Sequence, residues 1–142
     1  MLPFISDLTF MKGIPDTRTT TTLEELAGES LVEQIIRAAF EKKAEQITAI
    51  DLRGKSAPAQ WYLVCQGSNA VQTRAISNEI ITSLKKQATS PSLVEGLDEG
   101  IWVLIDFVDV IAHVMIPQAR SYYNLEQLWD DVSIRQIESA ED

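Results

Sequence analysis

The chain has 142 residues, of which 45% are hydrophobic and 23% charged, and this suits one globular domain. The formal net charge of −9 lies wholly in the last third, because residues 1–94 hold ten acidic and ten basic side chains whereas residues 95–142 hold eleven and two. An acidic surface of this kind disfavours direct nucleic-acid binding, and it either serves solubility alone, which composition by itself favours, or attracts a basic protein partner.

The first part of the chain predicts an extension followed by a helix. Residues 1–21 show no clear period and run into the threonine run 19–22, and we expect a flexible N-terminal extension over 1–28. Within it, a short helix over 23–27 would end at Gly28. The sequence SLVE from Ser30 matches a capping box and is expected to open a longer amphipathic helix.

The middle of the chain predicts two strands, a helix and a short third strand. Residues 47–52 and 61–66 are apolar runs of strand length separated by turn residues. A helix over 70–88 is expected to begin after Asn69 as N-cap and to end near a serine-proline pair, and 93–95 follows as a strand. Residues four apart mark its buried face: Ile76, Ile80 and Leu84.

The stretch WVLIDFVDVIAHV predicts a β-hairpin. We expect strands over 102–106 and 110–116 with a two-residue turn at 107–108, which places Asp106 opposite Asp109. The side chains that then share one face are Trp102, Leu104, Ile111, His113 and Met115. The opposite face carries small and branched residues typical of a core, namely Val103, Ile105, Val110, Ala112 and Val114.

The C-terminal part predicts a connection, one helical turn and a tail. Pro117 ends the hairpin, residues 120–124 form a short connection, and Asn124 caps a turn over 125–129. Residues 131–142 are expected to form an acidic tail that is frayed after Ser133.

Two enzymatic hypotheses can be raised from single motifs. Gly67-Ser68 before a helix could hold phosphates, and Asp106 and Asp109 could hold magnesium, as in nucleotidyl transfer. The two aspartates are three residues apart at a hairpin tip, so this pattern is a weak indication. For His113 a catalytic or metal-binding role needs a nucleophile or further ligands nearby, and the alternative is a strand residue packed edge-on against a tryptophan.

Membrane insertion and disulfide bonding are both disfavoured. No apolar run reaches the roughly 18 residues that a membrane helix needs, and the N-terminus lacks the basic segment of a signal peptide. The single cysteine, Cys65, stands in the apolar run WYLVC, which predicts a buried, unreactive thiol. We therefore expect a cytoplasmic protein.

Taken in order along the chain, the motifs resemble the ribosomal silencing factor family, also called the Iojap-related family. The match runs over about residues 29–130, and its joint order is specific although no single piece is. The matching pieces are Ile50-Asp51-Leu52 with Gly54-Lys55-Ser56, Val64-Cys65 with Gly67, Gln72-Thr73-Arg74-Ala75-Ile76, Val94-Glu95-Gly96, Trp102, Asp106, Asp109-Val110, His113-Val114, Arg120, Tyr123, Leu125-Glu126 and Leu128-Trp129. The chain departs from the family pattern at Gln60, Val71 and Val108, where an aspartate, a polar or basic residue and a glycine are usual.

The resemblance implies one α/β (α+β) domain over 29–130, with a mixed sheet flanked by helices in a nucleotidyltransferase-like architecture that lacks the enzymatic activity. It also implies a homodimer that binds large-subunit ribosomal protein number fourteen at the subunit interface. Occupying that surface would block joining of the small subunit, and no cofactor is implied. A nucleotidyltransferase-like enzyme and a factor for assembly of the large subunit remain the alternatives.

The partner-binding residues that we expect are Trp102, Asp106, Asp109, His113, Met115, Tyr123, Leu125 and Trp129. Aromatic side chains commonly anchor interfaces, and aspartates complement a basic protein. We expect Trp102 and His113 to lie at the interface rather than in the core. The sequence leaves open whether Leu128 and Trp129 serve the partner, the dimer or the core.

Overall fold

Six strands form one mixed sheet with two long helices on one face and shorter segments on the other. The computed structural model describes residues 23–138. Its elements are α1 (Leu23–Glu41), β1 (Glu45–Asp51), β2 (Trp61–Gln66), α2 (Ala70–Lys86), β3 (Leu93–Glu95), β4 (Trp102–Asp106), β5 (Val110–Met115), α3 (Pro117–Tyr123), a 3-10 turn (Leu125–Gln127) and β6 (Ser133–Ile137). The strand order is β3-β4-β5-β2-β1-β6, with β2 and β5 parallel and the other pairs antiparallel. The predicted fold class is confirmed.

The main core lies between the sheet and the helices α1 and α2. The predicted core face of the hairpin is confirmed, since all five of its residues are buried there. The predicted stripe of α2 is buried as well, and the Asn69 side chain accepts a hydrogen bond from the N–H of Gln72 at 2.9 Å, which confirms the N-cap. Cys65 is buried in this core, as predicted, and burial raises the pKa of its thiol to about 12.

The first helix differs from the prediction, because α1 runs unbroken through Gly28. The short helix over 23–27 that Gly28 would end is therefore wrong, and residues 23–28 of the expected extension are helical. A Cβ at Gly28 would lie 3.2 Å from Gln60 Oε1 and 3.7 Å from the indole of Trp61, so the glycine allows close approach of the helix to β2. This packing outweighs the ~1 kcal/mol that glycine costs inside a helix. The rest of the expected extension, residues 1–22, lies outside the described residues.

The C-terminal elements also differ from the prediction. Residues 120–123 of the expected connection belong to helix α3, in which Pro117 occupies the first turn where proline is favourable, and residue 124 is its C-cap. The expected turn over 125–129 is a three-residue 3-10 turn, and Asn124 adopts a left-handed conformation without a side-chain cap. Residues 133–137 form β6 along β1 and are not frayed, because Ile137 is buried in the main core.

Candidate functional site: an aromatic and acidic sheet surface

The β4–β5 hairpin is displaced by two residues from the predicted pairing. Asp106 pairs with Ile111, and the Phe107 N–H donates to the Val110 carbonyl at 2.9 Å, so the turn residues are Val108 and Asp109. The predicted turn at 107–108 is wrong, because the Phe107 backbone still bonds to Val110 across the hairpin and its side chain is buried in the main core. A shift of two residues preserves side-chain alternation, so the predicted division into two faces is confirmed.

Six aromatic rings follow one another across the sheet face opposite the long helices, and we call them the ring series. In order they are Trp129, Tyr62, His113, Trp102, Tyr123 and Tyr122, with successive centroids 5.3, 4.5, 5.8, 4.4 and 5.0 Å apart. These separations lie close to those at which ring pairs stabilise a fold beyond their buried area. The ring series therefore ties α3 and the segment after the 3-10 turn to the central strands.

His113 lies in the middle of the ring series, and Trp102 fixes its protonation. Trp102 Nε1 donates to His113 Nδ1 at 3.0 Å, so the neutral imidazole carries its proton on Nε2. Among residues 23–138, nothing accepts a hydrogen bond from that buried Nε2. Burial lowers the pKa of His113 to about 4, so the ring is neutral at pH 7.

The accessibility expected for His113 is wrong, since the residue is 2% exposed. Met115 is fully buried, and Leu125 is buried beside it in the cluster under α3. Trp102 and Asp106 are half-buried, whereas Tyr123 is 47% exposed. The predicted site residues therefore form two layers, one that reaches solvent and one that supports it from below.

The other two predicted site residues lie at the ends of this region. Trp129 is half-buried and packs edge-on against Tyr62, so it closes one end of the ring series. Asp109 is half-buried in the hairpin turn, where its carbonyl accepts from the N–H groups of Gln60 and Trp61 at 3.0 and 3.1 Å.

Two surface residues were missed by the sequence analysis, Leu93 and Glu95 of β3. Leu93 pairs with Asp106 and Glu95 pairs with Leu104, so all four side chains share one face. A strand of three residues has no measurable period, and only the register reveals this placement. We define the β4 surface as Leu93, Glu95, Trp102, Leu104, Asp106 and Tyr123. It combines aromatic and aliphatic side chains with two carboxylates, and none of its six members is basic.

The motifs that suggest nucleotidyl transfer lie at opposite ends of the sheet. Asp106 pairs with Ile111 of β5, which in turn pairs with Tyr62 of β2. Gly67 lies five residues after Tyr62, directly beyond the end of β2. At ~3.3 Å per residue this separates them by roughly 16 Å along the strands. The N–H and hydroxyl of Ser68 both donate to Gln72 Oε1 at 2.7 Å, so the turn is closed by its own helix.

Cys65 and His113 are also kept apart. Cys65 belongs to the core on the helix side, whereas His113 belongs to the ring series on the other face. In the part of the chain that the structure describes, no three or more histidine, cysteine, aspartate or glutamate side chains lie close enough to hold a metal ion. Within the same part, no helix is long and apolar enough to cross a membrane.

Fold and site together define a mixed α/β domain with helices on one side of its sheet and an aromatic, acidic surface on the other. The family model described as "Ribosomal silencing factor during starvation" matches residues 24–142. The chain therefore belongs to the ribosomal silencing factor family, as the sequence motifs indicate.

Individual relatives agree with this membership. The chain is 37% identical over 110 residues to the ribosomal silencing factor RsfS of Bacillus subtilis, which covers 78% of this chain and 93% of the relative. It is 35% identical over 115 residues to RsfS of Halalkalibacterium halodurans, covering 81% and 98% of the two chains. The crystal structure of a Chromobacterium violaceum protein has a TM-score of 0.70 at 29% identity, covering 79% and 93%.

Proposed function

We propose that this chain represses translation by binding the free large ribosomal subunit and sterically blocking joining of the small subunit. Membership of a family named for ribosomal silencing supports a ribosomal partner. The partner in this proposal is large-subunit ribosomal protein number fourteen, and the protein acts as a homodimer. The mechanism is occupation of a surface, so it needs no cofactor and no chemical step.

The observation that carries the proposal is the composition of the β4 surface. The rings of Trp102 and Tyr123 pack against each other at a tilt of 46°, with centroids 4.4 Å apart, and remain partly open to solvent. Tryptophan and tyrosine are the residues most often found as interface hot spots, where truncation commonly costs ~2 kcal/mol or more. Glu95 and Asp106 beside them complement a basic ribosomal protein, and Asp109 adds a carboxylate at the hairpin tip.

A buried layer of side chains would allow this surface to bind without reorganising. The hydrogen bond to His113 fixes the Trp102 indole, and the ring of Tyr123 packs on that indole. Met115 and Leu125 fill the space beneath, and Trp129 holds Tyr62 at the far end. Side chains that are already fixed lose little rotamer entropy on binding, which raises affinity. In this proposal His113 and Met115 support the interface and do not touch the partner.

The test is sedimentation of the purified protein with separated ribosomal subunits, followed by addition of the small subunit. We expect the protein to travel with the large subunit and to reduce the yield of joined ribosomes. Trp102→Ala should weaken binding about 30-fold, the ratio that corresponds to ~2 kcal/mol. Trp61→Ala is the matched control, because Trp61 is also half-buried but packs against the helix-side core.

Circular dichroism and the thermal unfolding midpoint of both variants separate loss of binding from loss of fold. Equal binding by Trp102→Ala and Trp61→Ala would refute the assignment of the β4 surface. The nucleotidyltransferase alternative makes a different prediction, namely magnesium-dependent nucleotide binding that Asp106→Asn abolishes. The distance between Gly67 and Asp106 along the sheet argues against that outcome.

A further inference from the structure

The tip of the β4–β5 hairpin holds a valine in a backbone conformation that valine disfavours. The φ of Val108 is +77°, and the Asp109 N–H donates to the Phe107 carbonyl at 3.0 Å, which closes a three-residue γ-turn. The γ-turn with positive φ is rare and strained, and it is least suited to a β-branched residue. Glycine adopts this conformation without steric cost.

The neighbourhood of the tip imposes this conformation. Asp106 Oδ1 accepts from the Val108 N–H at 2.7 Å, and the Asp109 carbonyl accepts from the N–H groups of Gln60 and Trp61. Phe107 is held in the main core on the other side of the turn. Strain of this kind persists where the surrounding structure over-determines the backbone, and such positions are concentrated at functional sites.

The side chain of Val108 lies mostly in water, being 63% exposed. The fold therefore gains little apolar burial from a residue that strains the turn. Asp106 accepts a hydrogen bond from its N–H, Asp109 follows it in the chain, and Leu93, which pairs with Asp106, is 46% exposed. Two exposed aliphatic side chains thus stand next to acidic groups at the edge of the β4 surface.

We propose that Val108 is a specificity-determining anchor that inserts into an apolar pocket of the basic ribosomal protein, a pocket lined at its rim by lysine or arginine. This inference rests on the proposed function and extends the β4 surface to the hairpin tip. Charge complementarity selects this occupant, because the aliphatic tip is flanked by carboxylates on both sides. An apolar centre with a charged rim is the usual composition of a protein interface.

The test compares Val108→Gly and Val108→Asn with wild type in the sedimentation assay with large subunits. Both residues tolerate positive φ, and neither supplies an apolar side chain. We expect each variant to bind about tenfold more weakly, the ratio that corresponds to burial of one valine side chain. Relief of strain should raise the thermal unfolding midpoint of Val108→Gly by roughly 3 °C.

Val71→Ala is the control, since Val71 is a similarly exposed valine at 68% but lies on α2, on the helix side of the sheet. It should bind like wild type. Val108 variants that bind like wild type while Trp102→Ala does not would overturn the role of Val108 and leave the proposed function intact. A Val108→Gly midpoint that is unchanged or lower would refute the strain argument and the proposal with it. Wild-type protein that stays at the top of the gradient would overturn both proposals.

Discussion

Lowering the pH from 7.5 to 5 should destabilise this protein by about 2 kcal/mol through His113 alone. Burial lowers the pKa of His113 from its ordinary value of 6.5 to about 4. Between these values the unfolded chain binds a proton that the folded chain does not, so the free energy of unfolding decreases as the pH falls. The stability is fully present above pH 6.5 and is lost progressively down to pH 4. The complete loss is about 3 kcal/mol, of which about 2 kcal/mol has gone by pH 5.

The assay is urea unfolding between pH 5 and 7.5, for wild type and for His113→Asn. Asparagine Oδ1 stands as many bonds from Cβ as histidine Nδ1 does, so it can still accept the hydrogen bond from Trp102. His113 is the single histidine of the chain, and histidine is the side chain whose ordinary pKa lies between pH 5 and 7.5. Arg53 lowers the pKa of Asp51 by hydrogen bonding, which places the contribution of Asp51 below the range tested.

We expect the pH dependence to be much flatter in His113→Asn than in wild type. The same slope in both proteins would refute the assignment to His113. A direct check is NMR of the imidazole CH protons, which should not titrate above pH 5. A midpoint near 6.5 would show that the ring is open to water, and the inference that it supports the β4 surface from below would then fail.

Two further predictions concern the scaffold and are measured by urea unfolding. Asn69→Ala should cost ~1 kcal/mol because it removes the cap of α2, whereas Asn78→Ala, exposed within the same helix, should cost much less; equal costs would contradict the capping role. Gly54 and Gly96 both have positive φ, so Gly54→Ala should lower the free energy of unfolding by ~1–2 kcal/mol. Gly96→Ala should lower it clearly more, because of the two only Gly96 would place a Cβ against a backbone carbonyl, that of Trp102. Similar losses at the two glycines would show that the loop at Gly96 can move away.

The hydrophobic pattern of the sequence correctly predicted the elements whose apolar side chains alternate, or recur at helical spacing, and face one core. The α2 cap and its buried stripe, and the two faces of the hairpin, followed from spacing alone. The errors arose where a distant contact decides the structure. Gly28 lies within α1 because the helix packs closely against the start of β2 at this position. Phe107 lies outside the turn because its ring is buried in the main core. The strand β6 carries polar residues along a sheet edge, and only its pairing with β1 reveals it.

The candidate site shows the same limit on prediction. The contact between Trp102 and His113 could be anticipated because both residues lie on one face of one hairpin. The burial of His113 could not be predicted, because it depends on Tyr62 of β2, whose ring centroid lies 4.5 Å from that of His113. The missing members, Leu93 and Glu95, come from a strand too short to have a period.

Part of the acidity of the last third of the chain lies on the β4 surface, which carries Glu95 and Asp106. The two basic residues of this third are both used within the fold, since Arg120 pairs with Glu126 at 2.6 Å and Arg135 pairs with Glu33 at 2.9 Å. Neither arginine therefore neutralises Glu95 or the carboxylates of the hairpin. Glu95 and Asp106 lie on the same sheet face as the partly exposed aromatic side chains, so in the proposed function their attraction for a basic partner would bring it to the β4 surface.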